Sequence, residues 1–123
     1  MTEFSARIEE LAERARRDRE AFDPPADPPD EQAALEYARD GVGAAVALYI
    51  DARTGAGSPA EIEPAAFTQL ERAMNDWIEL YAACYGVDMD AEFTVRELAE
   101  LLVDTHDIRE TVLLVTGVPT RTD

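Results

Sequence analysis

Hydrophobic positions in the first 22 residues follow the period of an amphipathic helix. They are separated by four, three, four and seven residues, so they form one stripe along the helix: Phe4, Ile8, Leu11, Ala15 and Phe22. Asp18 interrupts this stripe. The other side carries acids four residues before arginines, an arrangement that stabilises helices: Glu3–Arg7, Glu10–Arg14 and Glu13–Arg17.

Residues 23–30 read DPPADPPD and contain Asp-Pro-Pro twice. Proline lacks a backbone N–H and restricts the residue before it, so this segment predicts a semi-rigid linker that stops a helix on either side. We therefore divide the chain into an N-terminal helix (1–22), a linker (23–30), a bundle of about four helices (31–119) and a tail (120–123). The predicted fold class is all-α.

The second predicted helix begins after Asp30, as N-cap, and ends near Arg53. One face of it carries only small side chains, which would allow another helix to approach closely: Ala34, Ala38, Gly41 and Ala45. A strand over residues 46–51 is the alternative, because short apolar runs fit both structures.

Capping signals divide the remaining bundle. Ser58 begins one capping box, and a helix with a wide apolar stripe is expected from about Pro64 to Tyr85, closed by Gly86. Thr94 begins a second capping box before another helix. A last helix would cover 108–116, where four consecutive apolar residues (112–115) predict either a deeply buried helix or a lone strand.

Charge is the strongest compositional signal. The chain holds 27 acidic residues and 11 bases, all of them arginine, for a formal net charge of −16. Residues 1–22 hold six acids and five arginines, so this segment is nearly neutral. A large net charge repels itself in dilute buffer, whereas molar salt shortens the screening length to about 3 Å. The excess of acids and the lack of lysine resemble the proteins of salt-in halophiles such as haloarchaea, and this resemblance implies a cytoplasmic protein.

The inventory of reactive side chains is small. One cysteine, Cys84, excludes an internal disulfide and a multi-cysteine zinc site, and one histidine, His106, excludes a site with two imidazoles. The apolar runs are too short to cross a bilayer, and we see no secretory signal after Met1. We therefore expect no catalytic residue, no metal ligand, no cofactor and no membrane partner.

One acidic motif supports an enzymatic alternative. Glu9-Glu10-Leu11-Ala12-Glu13 resembles the EExxE half of the motif of all-α NTP pyrophosphatases (MazG-like), which implies magnesium-dependent hydrolysis of nucleotides. That family carries a second half, ExxD, on a later helix. Here these letters occur only at 20–23, within the same first segment. The carboxylates Glu97, Glu100 and Asp104 share helical spacing but do not follow the family pattern.

Residues 94–116 have a helix-turn-helix character, so a DNA-binding regulator is a second alternative. The usual glycine of the turn is missing, and Arg109 is the only base on the second helix. DNA affinity depends on neutralising phosphates, so we expect no nucleic-acid partner. The arginines near the end of the first helix alternate with acids that largely cancel them, which is typical of a solvated surface: Arg14, Arg16, Arg17 and Arg19.

The function predicted from the sequence is that of a non-enzymatic interaction or adaptor module. Its interface would be the stripe of Phe4, Ile8, Leu11, Ala15 and Phe22, because that segment is the one nearly neutral surface where two acidic chains can meet. The partner would be a second copy, giving a homodimer, or another protein. The competing hypothesis is that the first helix docks on its own bundle.

Overall fold

A computed structural model describes residues 3–54 and 64–119, and every regular element in these ranges is helical. The predicted all-α bundle is therefore confirmed. Ser58 and the 120–123 tail lie outside the described residues. The elements, in chain order, are α1 (Glu3–Ala21), α2 (Glu31–Glu36), a π-helical segment (Tyr37–Val42), α3 (Gly43–Thr54), α4 (Pro64–Ala83), α5 (Val95–Thr105) and α6 (Ile108–Thr116).

The stretch from α2 to α3 is the second helix expected from the sequence. Asp30 caps it, since its carboxylate accepts a hydrogen bond from the Ala33 N–H at 3.1 Å. Residues 46–51 lie inside α3, so the alternative of a strand there is wrong. The sequence did not predict the wider π-helical turn, which is a feature often found at functional sites.

The longest helix, α4, occupies the centre of the core. Its apolar stripe is buried and includes Trp77, the only tryptophan. The helix ends in the motif predicted around Gly86, which has a φ of 77°. Its N–H donates to the Ala83 carbonyl, and the Val87 N–H donates to the Ala82 carbonyl at 3.0 Å.

Polar side chains of α4 hold the extended segment that leads into α5. Three α4 residues, spaced four positions apart, form hydrogen bonds with every second residue of this segment. The two spacings match because four residues of helix rise about 6.0 Å and two residues of extended chain about 6.6 Å. Glu79 accepts from the Ala91 N–H, Asn75 exchanges two bonds with Phe93, and Glu71 accepts from the Val95 N–H.

The predicted capping box at Thr94 and Glu97 is present at the start of α5. The chain then turns at His106, which has a φ of 58°, and Asp107 caps α6. The apolar run 112–115 belongs to this helix, but it is not deeply buried as a whole. Successive helical residues point about 100° apart, so Val112 faces the core while Leu114 is exposed.

Helix α1 lies against α4 and also contacts α3. Its stripe joins the common core, with Ile8, Leu11 and Ala15 buried and Phe4 and Phe22 packed against it. This packing favours the competing hypothesis, in which the first helix docks on its own bundle, because apolar groups covered within one chain are not free to meet a partner. The interface at these five residues stays a prediction. Among the described helices, none has a stretch sufficiently long and apolar for a transmembrane span.

Candidate functional site

A groove separates α1 from the helical stretch 31–54, and it contains two recesses. The first, here called the arginine recess, has a volume of about 240 Å³ and is lined by Arg7, Glu10, Leu11, Arg14, Arg17, Ala44 and Leu48. The second, here called the acidic recess, has a volume of about 300 Å³ and is lined by Arg14, Asp18, Ala33, Glu36, Tyr37, Asp40 and Gly41. Arg14 forms part of the wall of both.

Arg14 connects α1 to the π-helical segment and to the core. Its guanidinium donates a hydrogen bond to the backbone carbonyl of Asp40 and lies 5.0 Å from the centre of the Trp77 ring. Both contacts leave its positive charge without a carboxylate partner among the described residues. Cation–π contacts of this kind contribute roughly 0.5–2 kcal/mol, depending on how far water is excluded.

Trp77 explains why Asp18 interrupts the apolar stripe of α1. The indole is fully buried, and its N–H donates to the Asp18 carboxylate at 2.8 Å. A buried indole N–H without an acceptor would cost about 1–3 kcal/mol. The acid therefore lies where α1 crosses the polar edge of the ring.

Gly41, in the π-helical segment, lies directly against the Trp77 ring. A Cβ built at this position would overlap the five-membered part of the indole, so only glycine fits there. The small-residue face predicted for the second helix thus contacts α4, with Ala34, Ala38 and Ala45 also buried.

The other two arginines of the arginine recess are only weakly neutralised. Arg7 is 3.5 Å from the Asp51 carboxylate in an exposed pair and stacks on Phe4. Arg17 is exposed and forms no ion pair with a carboxylate in the described part of the chain. Glu10 is the one acid in this lining, so the recess combines three guanidinium groups with a single carboxylate.

Two of the three pairs predicted along α1 do not form in the described structure, and the third, Glu3–Arg7, lies outside the described side chains. Over residues 3–54 and 64–119, Glu10–Arg14 and Glu13–Arg17 are not among the ion pairs, and Glu13 instead bonds Arg16. Arginine has a long side chain that can reach across a helix–helix interface. For Arg14, the contacts with the Asp40 carbonyl and Trp77 outcompete a pair that contributes only about 0.2–0.5 kcal/mol.

Arg19, near the C-terminal end of α1, links this helix to α4. It donates to Asp76 at 2.9 Å and to Glu79 at 2.8 Å, so it clamps α1 to α4. Burial raises the pKa of Asp76, and the guanidinium opposes this rise only in part. The hydrogen bond to Glu79 raises the pKa of Arg19 itself, which stays charged. This arginine is therefore already neutralised.

The acids proposed for nucleotide hydrolysis do not form a cluster. Within the described ranges, no group of three or more His, Cys, Asp or Glu side chains is arranged to hold a metal ion. Glu10 faces the arginine recess and Glu13 bonds Arg16. On α5, Glu97 serves as the cap and Glu100 pairs with Arg96.

Cys84 lies in the core behind the linker. Burial, followed by the nearby Asp30, raises the pKa of its thiol to about 11. A thiol with this pKa is protonated at neutral pH and is a poor nucleophile. Its backbone carbonyl accepts from the Asp30 N–H at 2.8 Å, so this position holds the end of the linker.

The α5–α6 pair covers the residues whose sequence has a helix-turn-helix character. Only His106 and Asp107 separate the two helices, a shorter turn than the three or four residues of helix-turn-helix motifs. Arg109 is exposed on α6, with Asp107 and Glu110 beside it in the sequence. This surface offers one base near two acids.

The chain shows no detectable similarity to a curated protein or to a solved structure. Residues 2–120 match a protein family described as "Domain of unknown function (DUF8055)". The match spans nearly the whole sequence, including both sides of the groove and the α5–α6 hairpin. The chain therefore belongs to this family.

Proposed function

We propose that this chain is a non-enzymatic interaction module that recognises an anionic side chain of a partner protein in the arginine recess. The observation that carries the proposal is the meeting of Arg7, Arg14 and Arg17 in one recess of a chain whose net charge is −16. Acids outnumber arginines by 27 to 11, yet this lining contains one acid. A local excess of positive charge on such a surface fits a negatively charged ligand.

The dimensions of the recess favour one inserted group over a whole cofactor. Pockets for small molecules usually measure about 300–1,000 Å³, and this one measures about 240 Å³. Ala44 and Leu48 of α3 form an apolar side opposite the arginines of α1. Hydrogen bonds between a guanidinium group and an oxyanion are strong, because they are short, directional and frequently bidentate.

The proposed contact uses the polar side of α1. The apolar stripe holds α1 in the bundle, and the arginines thereby acquire fixed positions at the groove. The partner remains another protein or a second copy of the chain, as the sequence suggested, but the recognised group is now charged. Fixed backbone positions of these residues lower part of the entropic cost of binding.

Exchanging Arg17 for glutamate should weaken recognition strongly while leaving the fold intact. Arg17→Glu reverses the charge of an exposed side chain at the recess, so we expect affinity for short anionic peptides to fall about tenfold or more. Binding is measured by calorimetry with peptides carrying glutamate or phosphoserine, and folding by circular dichroism.

Arg16→Glu is the matched control. It makes the same change of charge one residue away, at an exposed position that does not line the recess. Equal losses in both variants would mean that only the overall charge matters, and the proposed recess would be rejected. Binding that survives Arg17→Glu would reject it as well.

We further propose that the acidic surface is an adaptation to a salty cytoplasm. The support is the net charge of −16 together with the lack of lysine. Raising KCl from dilute buffer to about 1 M should increase the free energy of unfolding, because the screening length falls to about 3 Å. Urea titrations at each KCl concentration measure this change.

Sucrose separates charge screening from general exclusion of solutes from the protein surface. At matched osmolality, sucrose should stabilise the chain less than KCl does. A midpoint of unfolding that does not change with KCl would contradict the halophile proposal.

A further inference from the structure

We infer that the group recognised by the arginine recess is a phosphorylated side chain, phosphoserine or phosphothreonine, of the partner protein. This inference rests on the proposed function and specifies its ligand. The lining carries three positive charges and one negative charge, and Asp51 beside it lies 3.5 Å from Arg7, so the local formal sum is +1 with Asp51 and +2 without it. A phosphoryl group carries about −1.5 to −2 at neutral pH, whereas the carboxylate of Asp or Glu carries −1.

The placement of the donors supports the same ligand. Arg7, Arg14 and Arg17 project from one side of α1 over about three turns, and all three line the recess. A carboxylate has two oxygens in one plane. A phosphoryl group has three terminal oxygens in a tetrahedral arrangement, so it can accept hydrogen bonds from more than one guanidinium group at once.

The surrounding charge sharpens the choice between these ligands. Twenty-seven acids repel every approaching anion, and a ligand binds only if its gain in the recess exceeds this repulsion. The attraction between the ligand and the guanidinium groups acts at short range and increases with the ligand's charge. Salt screens the repulsion from the distant acids. A dianion in direct contact with the arginines therefore gains more than a monoanion does.

Arg14 gives the site an internal reporter. Its guanidinium lies 5.0 Å from the centre of the Trp77 ring, and Trp77 is the only tryptophan in the chain. A phosphoryl group that bonds Arg14 alters the charge next to the indole. Binding should consequently change the fluorescence of Trp77, in proportion to the fraction of sites occupied.

The experiment compares four probes at constant ionic strength: three short peptides of one sequence with serine, glutamate or phosphoserine at the centre, and inorganic phosphate. Affinity is measured by calorimetry and by Trp77 fluorescence, with the wild-type chain, Arg17→Glu and Arg16→Glu. The phosphoserine peptide should bind about tenfold or more tightly than the glutamate peptide, and the serine peptide should not bind. Arg17→Glu should remove this binding and Arg16→Glu should retain it.

The other outcomes overturn one proposal or both. If the glutamate peptide binds as tightly as the phosphoserine peptide, the phosphoryl inference fails and the interaction module stands. If inorganic phosphate binds as tightly as the phosphoserine peptide, the recess binds the free ion and a phosphorylated partner is rejected. If no probe binds in a manner that depends on Arg17, the proposed function fails together with this inference.

Discussion

Replacing Gly41 with alanine should strongly destabilise the protein. The added methyl group would overlap the indole of Trp77, which is fully buried. Overpacking a core lowers the free energy of unfolding by about 1–3 kcal/mol and occasionally more. We expect a cost near the upper end of this range, because an indole ring is rigid. Alanine regains about 1 kcal/mol of helix propensity, so we expect a net loss of about 2 kcal/mol or more. Urea unfolding followed by circular dichroism measures it.

Contacts around the ring explain why the overlap is not relieved. The Trp77 N–H bonds Asp18 at 2.8 Å, and Arg14 lies over the ring while it bonds the Asp40 carbonyl. A shift of the indole would disturb these contacts between α1, α4 and the π-helical segment. We therefore expect the Trp77 fluorescence of the folded variant to differ from that of the wild type.

Gly43→Ala is the matched control in the same helical stretch. Its added Cβ would have the Ala38 carbonyl oxygen at 3.3 Å and the Ile108 side chain at 3.6 Å as nearest neighbours, which is close but not an overlap. We expect a change within about 0.5 kcal/mol, or a small stabilisation from helix propensity. Equal losses at both positions would mean that the close approach of Gly41 to Trp77 does not limit stability.

The sequence predicted those elements whose signals are local. The caps at Asp30 and Thr94 and the turn at Gly86 depend on residues within a few positions of one another, and all are present. The π-helical segment has no such local signal. Its wider turn accompanies the approach of Gly41 to an indole 36 positions later in the chain, a contact that periodicity alone does not reveal.

The candidate site was harder to predict than the fold. The sequence shows Arg14 and Arg17 four positions after acids, and local rules favour pairing them. The structure turns Arg14 towards Asp40 and Trp77, so its charge reaches the groove. One signal was available: an isolated acid, Asp18, in an apolar stripe, in a chain with a single tryptophan. The structure shows that the two residues form a hydrogen bond, which the sequence alone did not predict.

The sequence left the role of the α1 stripe open, between an interface and a part of the chain's own core, for a related reason. Sequence spacing identified its residues correctly, but a stripe of this kind fits a partner's surface or the chain's own core equally well. The semi-rigid linker predicted from the prolines does not by itself say where α1 lies. In the structure the linker returns the chain to the bundle: the Asp30 N–H bonds the Cys84 carbonyl at the end of α4, and α1 lies along the same helix.

Replacing Ile8 with alanine tests this assignment directly. Ile8 is 0% exposed and belongs to the common core. Truncation of a buried isoleucine removes its transfer free energy and leaves a cavity, so we expect a loss of about 2–4 kcal/mol in the free energy of unfolding. Because the contact lies within one chain, the midpoint of thermal unfolding of the variant should not depend on protein concentration. Thermal scans over a wide range of concentrations measure this.

Glu9→Ala provides the control, since Glu9 is exposed at the next position of α1. A surface change of this kind should alter stability by no more than about 0.5 kcal/mol. If α1 instead buried its stripe against a second copy, Ile8→Ala would shift a dimer towards monomer in light scattering and leave the unfolding of the monomer unchanged. Such a result would return the stripe to the role of an interface, and a large, concentration-independent loss keeps it in the core.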